Sequence, residues 1–422
     1  MSQSVTIEEA IRLGESHRVA GRLNEAAQIF QQILQADANN VQATFSLAEC
    51  FYKGGQIPPA IELFTRCCNL APTWPMSRLR LGFALLEEQR IADAEASFRI
   101  ALNLDPNFAD AHYGLAWVRL AQGDFAVGWE EMEWRLQCRA FASKTKRFSQ
   151  PQWDGSDLNG KTILIFQEQG HGDVIQYARY ASLVADRGGR VLLGCAPPLQ
   201  EILKTIRGVA EIAPDPTRLP PFDYQLTLYS MPRVFRTTVE TIPAEVPYVH
   251  ADEARVRKWA QRIDRKSKML HVGLCWAGNP KHENDALRSI PPELLAFFAG
   301  APNVRFYSLQ KDVGLDQARR LPASPAIIDW SVDLRDFADT AAAMMNLDLI
   351  ITVDTSVAHL AGALARPTWT LLPFHADWRW MLNRADTPWY PTMELFRQST
   401  RGDWTSALLA VTHRLREKAS QL

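Results

Sequence analysis

Residues 41–74 read VQATFSLAECFYKGGQIPPAIELFTRCCNLAPTW, and two further windows of the same length, 75–108 and 109–142, follow without a gap. An earlier window, 7–40, fits the same frame. The seventh column holds Leu13, Leu47, Leu81 and Leu115, and the eighth holds Gly14, Ala48, Gly82 and Ala116. Column 20 holds Ala26, Ala60, Ala94 and Gly128, and column 24 holds Phe30, Phe64, Phe98 and Met132. Pro72 and Pro106 stand in column 32. Such a period predicts one supersecondary unit per window, repeated along the chain. Small residues in columns 8 and 20 let two antiparallel helices approach closely, and the large residue in column 24 fills the gap beside them. The proline cannot continue a helix and marks the turn to the next unit.

This pattern resembles the tetratricopeptide-repeat (TPR) family. A single repeat cannot bury its apolar face alone, so the resemblance implies a stacked α-helical solenoid over residues 1–142. The last window departs from the pattern with Trp129 and Trp134, which suggests docking onto the following domain. TPR arrays offer a concave face to a peptide or protein partner, or they scaffold and oligomerise what they are fused to.

After a polar linker, residues 143–160, the period changes. Strand-like runs at 161–166 (KTILIF) and 190–195 (RVLLGC) alternate with helical segments at 173–185 and 199–206, with short apolar runs at 209–212 and 224–228. A hinge reads at 243–248 and a charged helix at 252–265. The alternation then restarts: strands at 270–276, 304–309, 347–353 and 367–372, helices at 291–298, 336–345, 355–364 and 405–418. This pattern predicts two doubly wound α/β lobes, residues 161–248 and 249–422, with a cleft between them.

Three loops carry candidate chemistry. The first, QEQGHGD at 167–173, follows a strand and opens a helix; Gly170, His171 and Gly172 allow a ligand to approach the backbone. Asp173 reads either as a helix-capping residue or as a general base facing the cleft. The second, DTSVAH at 354–359, joins a strand to a helix. Asp354, Thr355, Ser356 and His359 stand where the helix N–H groups and dipole favour an anion such as a diphosphate. The third, GNPKHENDALR at 278–288, offers Lys281 and Arg288 to neutralise phosphate. The aromatic stretch DWRW at 377–380 walls the site, and Ser308 and Gln310, at the end of a strand, are candidate nucleoside contacts.

Composition bounds the rest. The chain has 422 residues, 47% hydrophobic and 22% charged, with a formal net charge of −1. No global field draws it to nucleic acid, and no apolar run approaches a membrane-spanning length. The N-terminus lacks the basic start and apolar core of a leader. Six cysteines without regular spacing read as reduced thiols, so a cytoplasmic location is expected. No D-x-D, H-E-x-x-H or P-loop motif occurs, so neither a metal nor another cofactor is expected.

From about residue 125 onward the chain resembles bacterial TPR-containing glycosyltransferases related to the lipopolysaccharide heptosyltransferases (glycosyltransferase family 9). The stretches that carry the resemblance are GWEEMEWR (128–135), QPQWDGSDLNGKTILIFQEQGHGDVIQYARY (150–180), ETIPAEVPY (240–248), VGLCWAGNPKHENDALRSIP (272–291), DLIITVDTSVAHLAGALARPTW (348–369) and DWRWMLNRADTPWYPTMELFRQ (377–398). It implies a GT-B fold, with an acceptor-side lobe at 161–248 and a nucleotide-sugar lobe at 249–422. Gly172–Asp173 matches the family's G-D motif, whose aspartate is the catalytic base. Asp354, Thr355 and His359 match a D-T-G-x-x-H phosphate motif in which Ser356 replaces glycine. Lys281 matches a basic loop position. The implied activity is metal-independent, inverting transfer of a sugar from a nucleotide-sugar donor to a hydroxyl on a protein or glycan. The alternatives are a TPR adaptor with a catalytically silent GT-B part, and a nucleotide-sugar epimerase.

Overall fold

The computed structural model describes residues 6–142, 148–213, 218–265, 268–281, 284–311, 317 and 319–421. The chain divides into two compact units, Met1–Ser143 and Lys144–Leu422.

The first unit is a run of antiparallel helix pairs: α1 (Ile7–Val19) with α2 (Leu23–Ala36), α3 (Val41–Lys53) with α4 (Ile57–Leu70), α5 (Pro75–Glu87) with α6 (Ile91–Leu104), and α7 (Ala109–Gln122) with α8 (Phe125–Met132). Thr6 starts α1 with a capping box, its side chain accepting from the Glu9 N–H while Glu9 accepts from the Thr6 N–H. The columns then explain themselves. A Cβ built on Gly82 or on Gly114 would lie 2.5 Å from the Phe98 ring, so one aromatic fills the space that two glycines leave. Gly14 faces Phe30 in the same way, at 2.7 Å. Leu47, Leu81 and Leu115 are buried, whereas Leu13 of the same column is exposed, because no described helix pair stacks ahead of α1. Trp134 stacks on His112 at 3.9 Å within this unit, and Trp129 is buried edge-on to Phe125.

The second unit holds two parallel sheets. The first has β1 (Thr162–Phe166), β2 (Arg190–Gly194), β3 (Val209–Ala213) and β4 (Tyr224–Thr227) in the order β3-β2-β1-β4. The second has β5 (Leu270–Cys275), β6 (Val304–Ser308), β7 (Ile327–Asp329), β8 (Leu349–Val353), β9 (Thr368–Leu372) and β10 (Met393–Arg397) in the order β10-β9-β8-β5-β6-β7. Numbered 1–6 in chain order from β5 and read from the β7 edge, the second sheet has the doubly wound pattern 3-2-1-4-5-6, and the first runs 3-2-1-4. β5, β8 and β9 are buried along their whole length, as strands covered on both faces must be.

Four details depart from the sequence reading. The described part of the linker packs against the first sheet: the Trp153 N–H donates to Gln225 O at 3.0 Å, the Gln225 N–H donates to Pro151 O at 3.1 Å, and Trp153 is buried. The helix expected at 291–298 is a tighter 3-10 run, Pro292–Gly300, and nothing in its packing explains the tighter winding. The helix expected at 173–185 is broken into α9 (His171–Ala178) and a second piece, Ala181–Asp186. β7 and β10 have no counterpart in the sequence reading: the first is three residues long and largely exposed, and the second is only half buried.

Candidate active site

Each sheet reverses its strand order once, and ligands in such sheets bind outside the carboxyl ends at that reversal. In the first sheet this lies between β1 and β4, and the loop leaving β1 leads directly into α9. In the second it lies between β5 and β8, and Asp354–Thr355 leads from β8 into α10 (Ser356–Ala363). The two helix N-termini meet. A Cβ built on Gly172 would stand 2.7 Å from His359 Cδ2 and 3.5 Å from Ser356 Cα. Only a residue without a side chain allows this approach. His171 also reaches the chain between β7 and β8, edge-on to Phe337 at 5.5 Å.

Asp173 sits in the first turn of α9. Its Oδ2 accepts the Gly170 N–H at 2.9 Å, and its Oδ1 forms an ion pair with Arg379 Nη2. Asp173 thus caps its own helix from the first turn, and its other oxygen meets a residue that follows β9 of the second sheet. Burial pushes its carboxyl above the usual range and the Arg379 guanidinium opposes this, while the nearby Asp377 adds to the rise.

Thr355 caps α10, its Oγ1 accepting the Val357 N–H at 3.2 Å. His359 is buried; its Nδ1 lies 2.9 Å from the Tyr390 hydroxyl, and its ring stacks on Trp380 at 5.5 Å. Burial, together with Arg379, Arg179 and Arg288, holds its pKa well below the usual imidazole value, so it is neutral. The Tyr390 ring packs on Gly362, where a Cβ would come within 2.4 Å. Asp354 is pushed up to about 6, chiefly by burial and then by the charge of Asp377.

In the third loop, Arg288 is the cation whose charge bears on both Asp354 and His359, and its Nε donates to Asp285 at 3.2 Å. Lys281 is exposed, and its backbone N–H donates to Asn279. Ser308 and Gln310 lie at the end of β6 as expected, but both are buried. The Gln310 Oε1 accepts the Trp276 and Ala277 N–H groups at 3.1 and 2.9 Å, and its Nε2 donates to Ala277 O at 2.9 Å. Its amide thus shapes the exit of β5. Among the described residues no group of three or more His, Cys, Asp or Glu side chains could hold a metal ion.

Two arginines of the site escape the sequence reading. Arg379 stands there only as part of an aromatic wall. It is 6% exposed and binds Gln176, Asp377, Tyr229 and Asp173. Arg179, in the break after α9, donates to Pro243 O and Trp389 O and lies over the Tyr248 and Tyr390 rings at 4.6 and 4.7 Å. An arginine flanked by tryptophans just after a strand is the available signal for the first.

The arrangement brings a carboxylate, a neutral imidazole, two helix N-termini and two arginines together outside the carboxyl ends of two parallel sheets. Comparison with known proteins bears on the chain as follows. The tetratricopeptide-repeat family is matched at residues 20–66 and 79–127. Protein FlbA of Caulobacter vibrioides (strain ATCC 19089 / CIP 103742 / CB 15) is 26% identical over 442 aligned residues, covering 98% of this chain and 73% of FlbA. DnaJ homolog subfamily C member 3 of Rattus norvegicus is 30% identical over 101 residues, which cover 24% of this chain and 20% of that protein. Among solved structures, a thermophilic TPR protein of Thermus thermophilus matches 33% of this chain and 77% of its own, with 19% identity and a TM-score of 0.31. A MamA fragment from Desulfovibrio magneticus RS-1 matches 34% of this chain and 80% of its own, with 16% identity and a TM-score of 0.29. The likeness to FlbA runs across both units, and the chain is a bacterial protein with tetratricopeptide repeats in its N-terminal region.

Proposed function

We propose that the second unit is a GT-B glycosyltransferase that moves a sugar from a nucleotide-diphosphate donor to a hydroxyl, with inversion and without a metal ion. The observation that carries this reading is the meeting of α9 and α10 at Gly172 and His359, which sets Asp173 of one lobe opposite the Thr355–Ser356 helix start of the other. In this reading Asp173 takes the proton from the acceptor hydroxyl as its oxygen attacks the sugar carbon and the bond to the diphosphate breaks. The diphosphate leaves toward the N-terminus of α10 and Arg288, whose dipoles and charge are already in place. In this reading the exposed Lys281 adds a positive charge on the solvent side of the donor. Neutral His359, held by Tyr390, serves as a hydrogen-bonding group.

The repeat array supplies a protein-interaction surface, by which it recruits a protein acceptor or joins copies of the chain. No helix among the described residues is long and apolar enough to cross a membrane, and the proposed reaction belongs to the cytoplasm, where nucleotide sugars are made. A second reading is favoured by one observation: both oxygens of Asp173 already have partners. In that reading the unit binds its ligand without turnover and the chain is an adaptor.

The deciding experiment is a thermal-shift panel of nucleotide diphosphates and nucleotide sugars, with and without EDTA, followed by transfer assays with the nucleotide that binds. Ligand at about 100 times its dissociation constant adds about 2.7 kcal/mol of stability. A selective, EDTA-insensitive shift supports the donor site. Asp173→Ala is then expected to slow transfer by about 100-fold or more, with the fold intact. Binding without transfer to any acceptor favours the adaptor, and no shift at all sinks both donor readings.

A further inference from the structure

We infer that Arg379, carried by the second lobe, is a positioning residue for Asp173 of the first, so that the carboxylate is set for chemistry only when the two lobes are joined. The inference rests on the proposed reading of Asp173 as a base and adds to it the group that holds that base.

The guanidinium is a planar fork of five N–H donors, and here its surroundings fix it in every direction. Nε donates to Gln176 Oε1 at 2.6 Å, Nη1 to Asp377 Oδ1 at 2.8 Å, and Nη2 both to the Tyr229 hydroxyl at 3.2 Å and to Asp173 Oδ1. The rings of Trp378, Tyr229 and Tyr177 stand 4.8, 5.4 and 5.7 Å from its carbon. Gln176, Tyr177 and Tyr229 belong to the first lobe, and Asp377 and Trp378 to the second. Arg379 thus reaches out of its own lobe into a polar socket of the other, with Asp173 at the rim. Lysine cannot reproduce this, because its ammonium is a single point charge without the fixed fork.

Among the described residues each oxygen of Asp173 has one hydrogen-bond partner, the Gly170 N–H on one side and Arg379 on the other, which leaves each a second lone pair for an acceptor hydroxyl. Asp173 remains 22% exposed at its side chain, whereas Arg379 is enclosed. The carboxylate can therefore touch substrate and the arginine acts through it. Burial, Asp377 and Glu168 all favour the protonated acid, and Arg379 counters them with a fixed positive charge. The lobes do not depend on this pair to stay together. Arg179 separately joins them through its hydrogen bond to Trp389 O.

The test compares the full chain with R379K, D173N and the double variant. Turnover is read with the nucleotide sugar selected by thermal shift. R379K is expected to lower kcat by about 100-fold, with donor KM within about threefold and the acid limb of the pH profile raised by about one pH unit or more. On the D173N background R379K is expected to add no further loss, because the two act as one unit. A raised donor KM with unchanged kcat, or losses that multiply in the double variant, overturns the inference, since Arg379 then contacts the donor itself. The second readout needs no turnover. In protein labelled with 13C at the aspartate carboxyls, the resonance missing from D173N reports Asp173. Its titration midpoint is expected to rise in R379K, and an unmoved midpoint overturns the inference whether or not the protein transfers sugar. Failure of every nucleotide sugar to turn over, with the midpoint moved, counts against the glycosyltransferase reading and leaves the Arg379–Asp173 coupling standing.

Discussion

Gly172→Ala tests the central geometric claim through the sign of its effect. At an unobstructed helical position, alanine in place of glycine stabilises by about 0.4–1 kcal/mol, because the unfolded chain loses freedom. At Gly172 the new methyl would stand 2.7 Å from His359 Cδ2, where carbon atoms settle at about 3.5–4.0 Å. One partner must retreat by about 1 Å. His359 cannot swing away freely, since Tyr390 holds its Nδ1 at 2.9 Å and Trp380 stacks on its ring. Nor can the helix slide, with Ser356 Cα already 3.5 Å from the same point. Overpacking of this kind costs about 1–3 kcal/mol. Set against the alanine gain, the net effect is a loss of about 0–2.5 kcal/mol, or up to about 5–10 °C in the melting temperature of a unit this size. Tryptophan fluorescence reports the right unit, because four of the 13 tryptophans precede residue 144 and nine follow it. The thermal-shift response to nucleotide is expected to shrink as well, because the two helix N-termini are pushed apart. A variant that melts higher than the parent, with its nucleotide response intact, refutes the close apposition of α9 and α10 and the site built on it.

Two further outcomes follow from named contacts. Phe98→Ala removes the ring that fills the space beside Gly82 and Gly114, and is expected to destabilise the repeat array by about 3–5 kcal/mol, read by urea unfolding; a loss below about 1 kcal/mol contradicts the packing described. Asp354 keeps its proton in the folded state to about pH 6, against a usual value of 3.8, so folding takes up a proton between the two. Its contribution to stability therefore falls as pH rises from about 4 to about 6 and is level above that. In Asp354→Asn this decline is expected to disappear from stability measured against pH, and an unchanged slope assigns it to other groups.

The sequence by itself determined the repeats. Columns 8 and 24 are local to one helix pair and its neighbour, and a glycine opposite a phenylalanine at fixed spacing leaves little choice of packing. It also determined the alternation of buried strands and helices, because strands covered on both faces read as continuous apolar runs such as LIITV at Leu349–Val353. Helix starts after strands placed Asp173 and Thr355 at loop ends for the same local reason. Edge strands such as β7 and β10 lacked that signal, being short and half exposed. What the tertiary structure alone decided is which loops face one another. Asp173 and Arg379 are 206 residues apart, and Gln176 and Arg379 are 203 apart. No periodicity spans such distances. The strand order set which carboxyl ends lie at each reversal, and the meeting of the two lobes turned a glycine of one loop and a histidine of another into neighbours. The same folding turned the amide of Gln310, a candidate nucleoside contact, onto the backbone of Trp276 and Ala277, and left Lys281 in solvent while Arg288 turned inward. A side chain's partners depend on where the rest of the chain comes back to it, and that information is not local.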